Sequence, residues 1–326
     1  MKTLFKKSSP FLHSEETCVN LKLDLLVGLL AVTVIAVIQN GLRVLAITTA
    51  TAFTAWATDV LVGIFFKNAN HLRAITTGLI IALLCPVTVP IWLPILSTFV
   101  TMLFTKLVLN GAYKKLFITP AIALIIMLSI SPANMTVFPA VRGFNVFPVF
   151  ENVETFQATS SIAQSLQYNR TPAYTLLDLF TGHYPGGMGT TCIFVILAVC
   201  IYFIFRKSMA WQVSLSMILT VTVFALIYNR TDSSLLYSVL YELTATSFIF
   251  VAVFIAGDII NAPMLTLSKI IYGFLLGTVS MVCRYMGLSE HCVVISLIVC
   301  NLLTEALDLF SLKYQIKATK HAALKI

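Results

Sequence analysis

The chain has 326 residues, of which 59% are hydrophobic and only 10% are charged, and its formal net charge is +8. Soluble domains carry roughly 25% charged residues, so this composition excludes a soluble globular fold. The lysines and arginines are scattered singly or in pairs without a basic stripe, which argues against a nucleic-acid partner. We therefore expect an integral membrane protein whose apolar surface faces the lipid bilayer.

Ten apolar segments are candidates for membrane-spanning helices, which need about 20 mostly apolar residues each. The predicted spans cover residues 23–40, 44–66, 73–87, 90–108, 117–132, 189–205, 211–228, 237–257, 268–285 and 290–311. Pro86, Pro90 and Pro94 interrupt the third and fourth spans, so a tight turn or a broken helix is expected there. The predicted fold class is an all-α polytopic membrane protein.

A long polar segment divides the spans into two groups of five. Residues 1–132 form the predicted N-terminal membrane half, residues 133–188 a long external loop, and residues 189–326 the C-terminal half with a cytoplasmic tail. Loops of this length in compact proteins are usually functional or disordered. Two five-helix halves are suggested because duplication with inversion is common among membrane proteins. No residue-level repeat is evident.

The positive charges predict the orientation, because short cytoplasmic loops retain lysine and arginine. With the N-terminus inside, all but five of the 21 lysines and arginines fall on the cytoplasmic side. The five external ones are Arg43, Arg142, Arg170, Arg230 and Arg284. Both termini are therefore predicted to be cytoplasmic.

Acidic side chains inside the spans are candidates for a cation or proton path, because each costs about 2.5–3.5 kcal/mol at a helix centre. Asp59 and Glu305 lie deeper in their spans, whereas Glu242 and Asp258 lie near helix ends. A polar pair or a capping hydrogen bond is the alternative explanation, which we favour for Asp258 because a proline-containing turn follows it. Asp24, at the end of a span, is expected to be solvated.

The sequence contains no recognisable metal or nucleotide motif. The seven cysteines form no Cys-x-x-Cys pair, and the five histidines show no ligand spacing. Neither a Walker A sequence nor a G-x-G-x-x-G following a strand occurs. We expect no metal centre and assign no catalytic residue, and any nucleotide chemistry is expected in a partner subunit.

Four segments of the chain resemble one family of membrane proteins. Ser8-Ser9-Pro10 matches a family start, and residues 117–121, FITPA, resemble the family's F-N-P-A. Residues 176–191, LLDLFTGHYPGGMGTT, resemble L-F-x-G-x-x-P-G-S-x-G-E-T, and residues 254–263, FIAGDIINAP, resemble F-x-A-T-D-P-x-T-S-P. The family is the D subunit of Rnf-type electron-transport complexes, related to the B subunit of sodium-pumping NADH:quinone reductases.

The resemblance implies a redox subunit in a prokaryotic cytoplasmic (inner) membrane. Its complex would pass electrons between ferredoxin and NAD and translocate sodium ions or protons, with other membrane and peripheral subunits as partners. Family members carry FMN in a phosphoester bond that a flavin transferase makes to a threonine of an external loop, within D-x-x-S/T-G-A-T. Thr159 stands at the matching position. A second, non-covalent flavin among the helices belongs to the same hypothesis.

The attachment pattern departs from the family at three positions, and alternatives stay open. Val153, Phe156 and Gln157 stand where the family has Asp, Ser or Thr, and Gly. One alternative is a divergent member without covalent flavin that acts as a structural or ion-conducting subunit. The other is a secondary transporter with a substrate site at the broken helix near Pro86 and Pro90.

The glycine-rich segment after the loop is the other candidate flavin contact, since glycines before a helix let backbone N–H groups approach an anion or a ring closely. The residues singled out there are Gly182, Pro185, Gly186 and Gly189. A tight turn that admits the chain to the membrane is the alternative. The aromatic residues that could stack on a flavin or anchor the chain at the interface are Phe180, His183 and Tyr184.

Overall fold

The computed structural model describes residues 18–66, 70–107, 118–139, 158–159, 161–172, 174–231, 234–288 and 292–323. The helices of the first group are α1 (Cys18–Asn40), α2 (Leu42–Phe66), α3 (His71–Leu84), α4 (Trp92–Leu107) and α5 (Thr119–Ile130). The polar segment contains α6 (Pro132–Thr136), β1 (Phe138–Pro139), β2 (Ala158–Thr159), α7 (Ile162–Gln167) and α8 (Leu176–Thr181). The second group comprises α9 (Ile193–Phe205), α10 (Trp211–Ile227), α11 (Leu235–Thr244), α12 (Phe248–Phe254), α13 (Thr266–Tyr285), α14 (Cys292–Leu302) and α15 (Thr304–Ala323).

Each predicted span coincides with an apolar helix or a bent helix pair, which confirms the all-α polytopic membrane fold. In the described ranges, three helices are long and apolar enough to cross a membrane alone, namely α1, α2 and α13. The pairs α11–α12, bent by 60°, and α14–α15, bent by 52°, raise this number to five. Helices α3, α4, α5, α9 and α10 are apolar as well but shorter, with fewer than 18 residues each.

Close helix packing organises both groups around their second span. In the first group α2 packs against α3 and α4, and in the second α10 packs against α13 and the α11–α12 pair. A Cβ on Gly78 of α3 would lie 2.8 Å from the Thr51 carbonyl of α2, and one on Gly277 of α13 would lie 2.7 Å from Thr220 of α10. Small residues at such contacts let membrane helices approach closely. The groups meet where α1 contacts α9 and α5 contacts α14.

In each group the chain is non-helical just after the third span. Residues at the start of the second span of the same group form hydrogen bonds with this non-helical segment. Arg43 of α2 donates from Nε to the Val87 carbonyl at 2.8 Å and from Nη2 to the Val89 carbonyl at 3.2 Å. In the second group the amide of Ala210, just before α10, donates to the Gly257 carbonyl at 2.8 Å. Arg43 is only 2% exposed, so counting it as a loop charge was wrong: it supplies donors to carbonyls that have left a helix.

Ion pairs join the two groups at the end of the bundle where α1 begins, which we call the terminal face. The opposite end, which holds residues 131–139, 158–159, 161–172 and 174–192, is called the loop face. Lys22 lies 3.1 Å from the Asp258 carboxylate. Asp24 pairs with Arg206 at 3.2 Å and accepts a hydrogen bond from the Tyr202 hydroxyl at 3.1 Å. The expectation that Asp24 is solvated is therefore wrong: it is 7% exposed because α9 provides both partners.

Replacing Arg43 by leucine is expected to destabilise the protein, because the carbonyls of Val87 and Val89 lose their donors. Each buried polar group left without a partner costs about 1–3 kcal/mol. Thermal unfolding of the detergent-solubilised protein, followed by circular dichroism, measures the effect. Arg170 is exposed, and Arg170→Leu is the control, expected to stay within about 0.5 kcal/mol of wild type. Equal melting temperatures for the two variants would contradict this role of Arg43.

Candidate functional site

A cavity lies between the two groups of helices on the loop face, and we call it the interhelical cavity. Its empty volume is about 520 Å³, which includes space open to solvent. The first group contributes Leu84, Pro86 and Leu124, and the second contributes Thr246 and Val294, among others. The polar segment provides Met135, Phe138, Ser161, Ile162, Tyr184, Pro185, Gly186 and Gly187, and Thr190 follows it at the start of the C-terminal half. All three predicted parts of the chain therefore meet at this cavity.

The glycine-rich segment forms one wall of the cavity and packs on the end of α3. The amide of Met188 donates to the Cys85 carbonyl at 2.9 Å, and the amide of Gly189 donates to the Leu83 carbonyl at 2.8 Å. A Cβ on Gly187 would lie 2.9 Å from the Leu84 carbonyl, and one on Gly189 would lie 2.8 Å from the Leu83 side chain. Glycine is thus needed here for close packing on a helix end, and the Gly189 amide is already engaged by protein.

The other predicted flavin contacts occupy different positions around the cavity. Gly182 ends α8 with a φ of +88°, a left-handed cap that glycine adopts without strain. It lines a smaller cavity nearby, with an empty volume of about 340 Å³ that includes space open to solvent, and Gly186 lines both cavities. Pro185 lines the interhelical cavity. The segment therefore contributes Pro185 and Gly186 to the larger space, whereas Gly182 and Gly189 shape the chain.

The three aromatic residues of this segment are not equivalent. Tyr184 is 3% exposed and lines both cavities. Its burial raises the pKa of the phenol above its usual value. His183 lines the smaller cavity, with its Nδ1 2.7 Å from the Thr181 hydroxyl. Phe180 is 39% exposed and lines neither space. Among these three, Tyr184 is the one in position to contact a ring in the interhelical cavity.

A short strand pair sets the position of Thr159. Its backbone pairs with Phe138 of β1, a residue that lines the interhelical cavity. Two residues further on, Ser161 also lines the cavity, and its hydroxyl accepts from the Gln164 amide at 3.1 Å to cap α7. The Gln164 side chain in turn donates to the Thr136 carbonyl at 3.1 Å. The backbone at Thr159 is therefore held beside the cavity.

Some of the sequence features lie outside the described residues. They are the three departures from the attachment pattern (Val153, Phe156 and Gln157), the loop residue Arg142, and the motif residues Ser8, Ser9, Pro10 and Phe117. The position of Thr159 is consequently given by its backbone pairing.

A buried ion cluster holds the rim of the cavity in the second group. The Nη1 of Arg284 donates to the Glu242 carboxylate at 2.5 Å and to the Glu242 carbonyl at 2.7 Å. Arg230 lies 3.7 Å from the other carboxylate oxygen. From Nη2, Arg284 donates to the Ala245 carbonyl and to the Thr246 hydroxyl, each at 3.3 Å. Glu242 lies near the end of α11 as predicted but is fully buried, which the two arginines make tolerable.

Arg284 was predicted to be an external loop charge, and this prediction is wrong because its side chain is completely buried. Its contacts cross from α13 to the bend between α11 and α12, a separation of about forty residues along the chain. No local sequence signal reveals such a partner.

Like Glu242, the acidic candidates Asp59 and Asp258 form ion pairs. Asp59 contacts Lys106, lies 2.9 Å from the Nδ1 of His71, and accepts from the Asn70 amide at 3.0 Å. Besides pairing with Lys22, Asp258 accepts from the Ile260 amide at 3.2 Å and thereby caps its own turn. For both residues the structure agrees with the explanation by polar pairing and capping.

Glu305 was predicted to lie deep in the last span, and it lies at the bend in the middle of the α14–α15 pair. It is exposed in the first turn of α15, because the bend that follows α14 starts a new helix there. A carboxylate at a helix N-terminus interacts favourably with the helix dipole, so this position costs little.

A second cavity lies between the groups on the terminal face, and we call it the terminal cavity. Its empty volume is about 410 Å³, part of it open to solvent. Its charged lining residues are Lys22, Arg73 and Asp258, and Phe254 adds an aromatic side chain. The polar uncharged lining residues are Thr76, Thr77, Thr119 and Asn261. Elements α3, α5 and the α12 region thus contribute to a cavity at each end of the bundle.

Gly189→Ala is expected to displace the glycine-rich segment from α3, because the added methyl group overlaps the Leu83 side chain. Overpacking of this kind typically costs about 1–3 kcal/mol. Thermal unfolding in detergent measures the loss. Leu177, on the neighbouring helix α8, is 76% exposed, and Leu177→Ala is the control expected to leave stability unchanged. A Gly189→Ala protein as stable as this control would show that the contact with Leu83 does not require glycine.

Comparison with known proteins agrees with the four sequence motifs. The family model described as NQR2, RnfD, RnfE family matches residues 5–317. The D subunit of the Na(+)-translocating ferredoxin:NAD(+) oxidoreductase complex of Acetobacterium woodii is 24% identical, over 93% of this chain and 92% of that protein. Its counterpart in the proton-translocating complex of Clostridium ljungdahlii is 21% identical, over 93% of each. The B subunit of the Na(+)-translocating NADH-quinone reductase of Chromohalobacter salexigens is 25% identical, over 74% of this chain and 58% of that protein. Because the family match spans nearly the whole sequence, the chain belongs to the NQR2, RnfD, RnfE family.

Proposed function

We propose that this chain is a flavin-carrying membrane subunit of an Rnf-type complex, which couples electron transfer between ferredoxin and NAD to translocation of sodium ions or protons. Family membership supports the general role, since the relatives are named as subunits of ion-translocating oxidoreductase complexes. The observation that carries the flavin proposal is the position of the Thr159 backbone beside the interhelical cavity.

The backbone of Thr159 lies near this cavity, which supports the proposal. Thr159 pairs with the cavity residue Phe138, and Ser161, also in the wall, is two residues away, or about 7 Å along an extended chain. We infer that Thr159 would hold FMN through a phosphoester to its hydroxyl, beside the cavity. When bound, the flavin supplies the redox chemistry, accepting and passing on electrons.

The lining of the interhelical cavity suits a planar, uncharged ring. Leu84, Leu124 and Val294 provide apolar surface, while Thr190 and Ser247 add hydroxyl groups. Among the described lining residues there is no carboxylate, ammonium or guanidinium group. The chain's own residues would therefore orient the ring by shape and by neutral hydrogen bonds.

We propose the terminal cavity as the site of the second, non-covalent flavin. Phe254 offers an aromatic surface, and Thr77 and Asn261 offer hydrogen-bonding groups. Flavins at both ends of the interface between the two groups would provide stations for electrons crossing the membrane.

The proposal includes a location. The loop face would lie outside the cytoplasm of a prokaryotic inner membrane, where a flavin transferase reaches Thr159, and both termini would lie in the cytoplasm. The remaining subunits of the complex would bind around this chain in the lipid bilayer.

A divergent member without covalent flavin is the second candidate function, and the altered residues Val153, Phe156 and Gln157 favour it. A secondary transporter has weaker support. Its expected substrate site near Pro86 is a segment whose carbonyls at Val87 and Val89 are bound by Arg43.

Thr159→Val is expected to abolish covalent flavin, since valine has the shape of threonine but no hydroxyl for a phosphoester. The full chain is produced together with a competent flavin transferase, and flavin fluorescence is read from a denaturing gel under ultraviolet light. Wild type is expected to fluoresce. Ser160→Ala is the matched control, because it removes the adjacent hydroxyl and is expected to leave the signal intact.

The pair of variants separates the possible outcomes. A signal lost in Ser160→Ala but kept in Thr159→Val would move the attachment to Ser160 and refute the assignment. Absence of fluorescence from wild type would refute covalent flavin and favour the divergent member.

Acid precipitation of the Thr159→Val protein releases flavin that is bound without a covalent bond. Thr77→Phe, which fills the terminal cavity, is expected to remove most of this released flavin, as measured by chromatography. Thr49 is exposed on α2, and Thr49→Phe, the same change outside the cavity, is expected to retain it. Equal release from both variants would exclude the terminal cavity as the site.

A further inference from the structure

Thr246 has an unusual backbone conformation at the rim of the interhelical cavity. It lies in the bend between α11 and α12 with a φ of +62°, although its side chain is β-branched. A β-branched residue in the left-handed region is a genuine outlier, and such strain persists only when surrounding contacts stabilise it. Thr246 is half-buried and lines the cavity.

The contacts that hold this bend come from Arg284. Its Nη2 donates to the Ala245 carbonyl and to the Thr246 hydroxyl oxygen, each at 3.3 Å. Its Nη1 is fixed by the Glu242 carboxylate at 2.5 Å, and the Arg284 side chain is completely buried. The guanidinium of a buried ion pair therefore contacts the part of the bend that Thr246 forms.

The contact with Arg284 determines whether the Thr246 hydroxyl acts as a hydrogen-bond donor or acceptor. A guanidinium group only donates hydrogen bonds, so the Thr246 oxygen acts as the acceptor and its own proton remains available. No acceptor for that proton occurs in the part of the chain that the structure describes. The neighbouring hydroxyls differ, because Thr244 donates to the Tyr241 carbonyl at 3.3 Å and Thr190 to the Gly187 carbonyl at 3.2 Å.

We propose that Thr246 donates a hydrogen bond to a ring carbonyl of the flavin in this cavity, and that Arg284 is the positioning residue that orients and polarises its hydroxyl. The inference rests on the proposed function, which supplies the flavin. A donor backed by a cation stabilises negative charge on its acceptor more strongly than a neutral donor does. The bond would therefore favour the reduced flavin and raise its midpoint potential.

Thr246→Val removes the hydroxyl and is expected to lower the flavin midpoint potential. The expected change is about tenfold in the equilibrium constant of one-electron reduction, or about 59 mV. Thr246→Ser keeps the hydroxyl and is expected to behave like wild type. The measurement is a spectroelectrochemical titration of the flavin absorbance in the purified complex. In-gel fluorescence first establishes that each variant carries the same amount of covalent flavin.

Two further variants keep the test independent of folding. Thr246→Gly lacks the hydroxyl but adopts the positive φ without strain, so it should fold and still show the lowered potential. Thr278 lies away from the cavity on α13, where its exposed hydroxyl donates within its own helix. Thr278→Val is therefore the control for the loss of a threonine hydroxyl and should keep the wild-type potential.

The outcomes distinguish this inference from the proposed function. Wild type without covalent flavin would refute the proposed function and the Thr246 inference together. Flavin present at an unchanged potential in Thr246→Val and Thr246→Gly would overturn the Thr246 inference alone. A shift in Thr246→Ser as large as in Thr246→Val would also overturn it, because the effect would then come from packing instead of the hydroxyl.

Discussion

Backbone carbonyls that leave a helix inside a membrane bundle need donors, since the bilayer core contains no water to supply them. In this structure, buried arginines and backbone amides supply these donors. Arg43 binds the carbonyls of Val87 and Val89, the Gly189 amide binds that of Leu83, and Arg284 binds that of Ala245. With these carbonyls satisfied, the third span of each group can stop or bend near the loop face. The interhelical cavity lies between those interrupted helices, so the site exists because the breaks are stabilised.

The helices were predictable from the sequence because long apolar runs are a strong signal, and all ten predicted segments are helical. The break near Pro86 was also predictable, since proline disrupts a helix. The buried arginines were not. Arg43 and Arg284 stand at the ends of apolar segments, where a positive charge is typical of a loop, and only the tertiary structure brings their partners to them. The bend between α14 and α15 was not predictable either, because no proline or glycine marks it.

The surroundings of the candidate site were only partly predictable. The glycine-rich motif predicted a site at residues 182–189. The sequence could not show which of its glycines contact α3 and which line a cavity. Two-residue strands carry no periodic pattern, so the pairing of Thr159 with Phe138 had no signal in the sequence. The cavity itself combines α3, α5, the α11–α12 bend and the polar segment. Residues so far apart along the chain are brought together by packing between the two groups.

The seating of the glycine-rich segment on α3 also constrains how the protein is made. The carbonyls of Leu83 and Cys85 receive their hydrogen bonds from Gly189 and Met188, about a hundred residues later in the chain. During synthesis the first group of helices therefore enters the membrane before these partners exist. The end of α3 must meanwhile rely on interfacial water or on the insertion machinery. The hydrogen bonds at the end of α3 can therefore form only after the glycine-rich segment has been synthesised. Folding of the N-terminal half thus depends on the start of the C-terminal half.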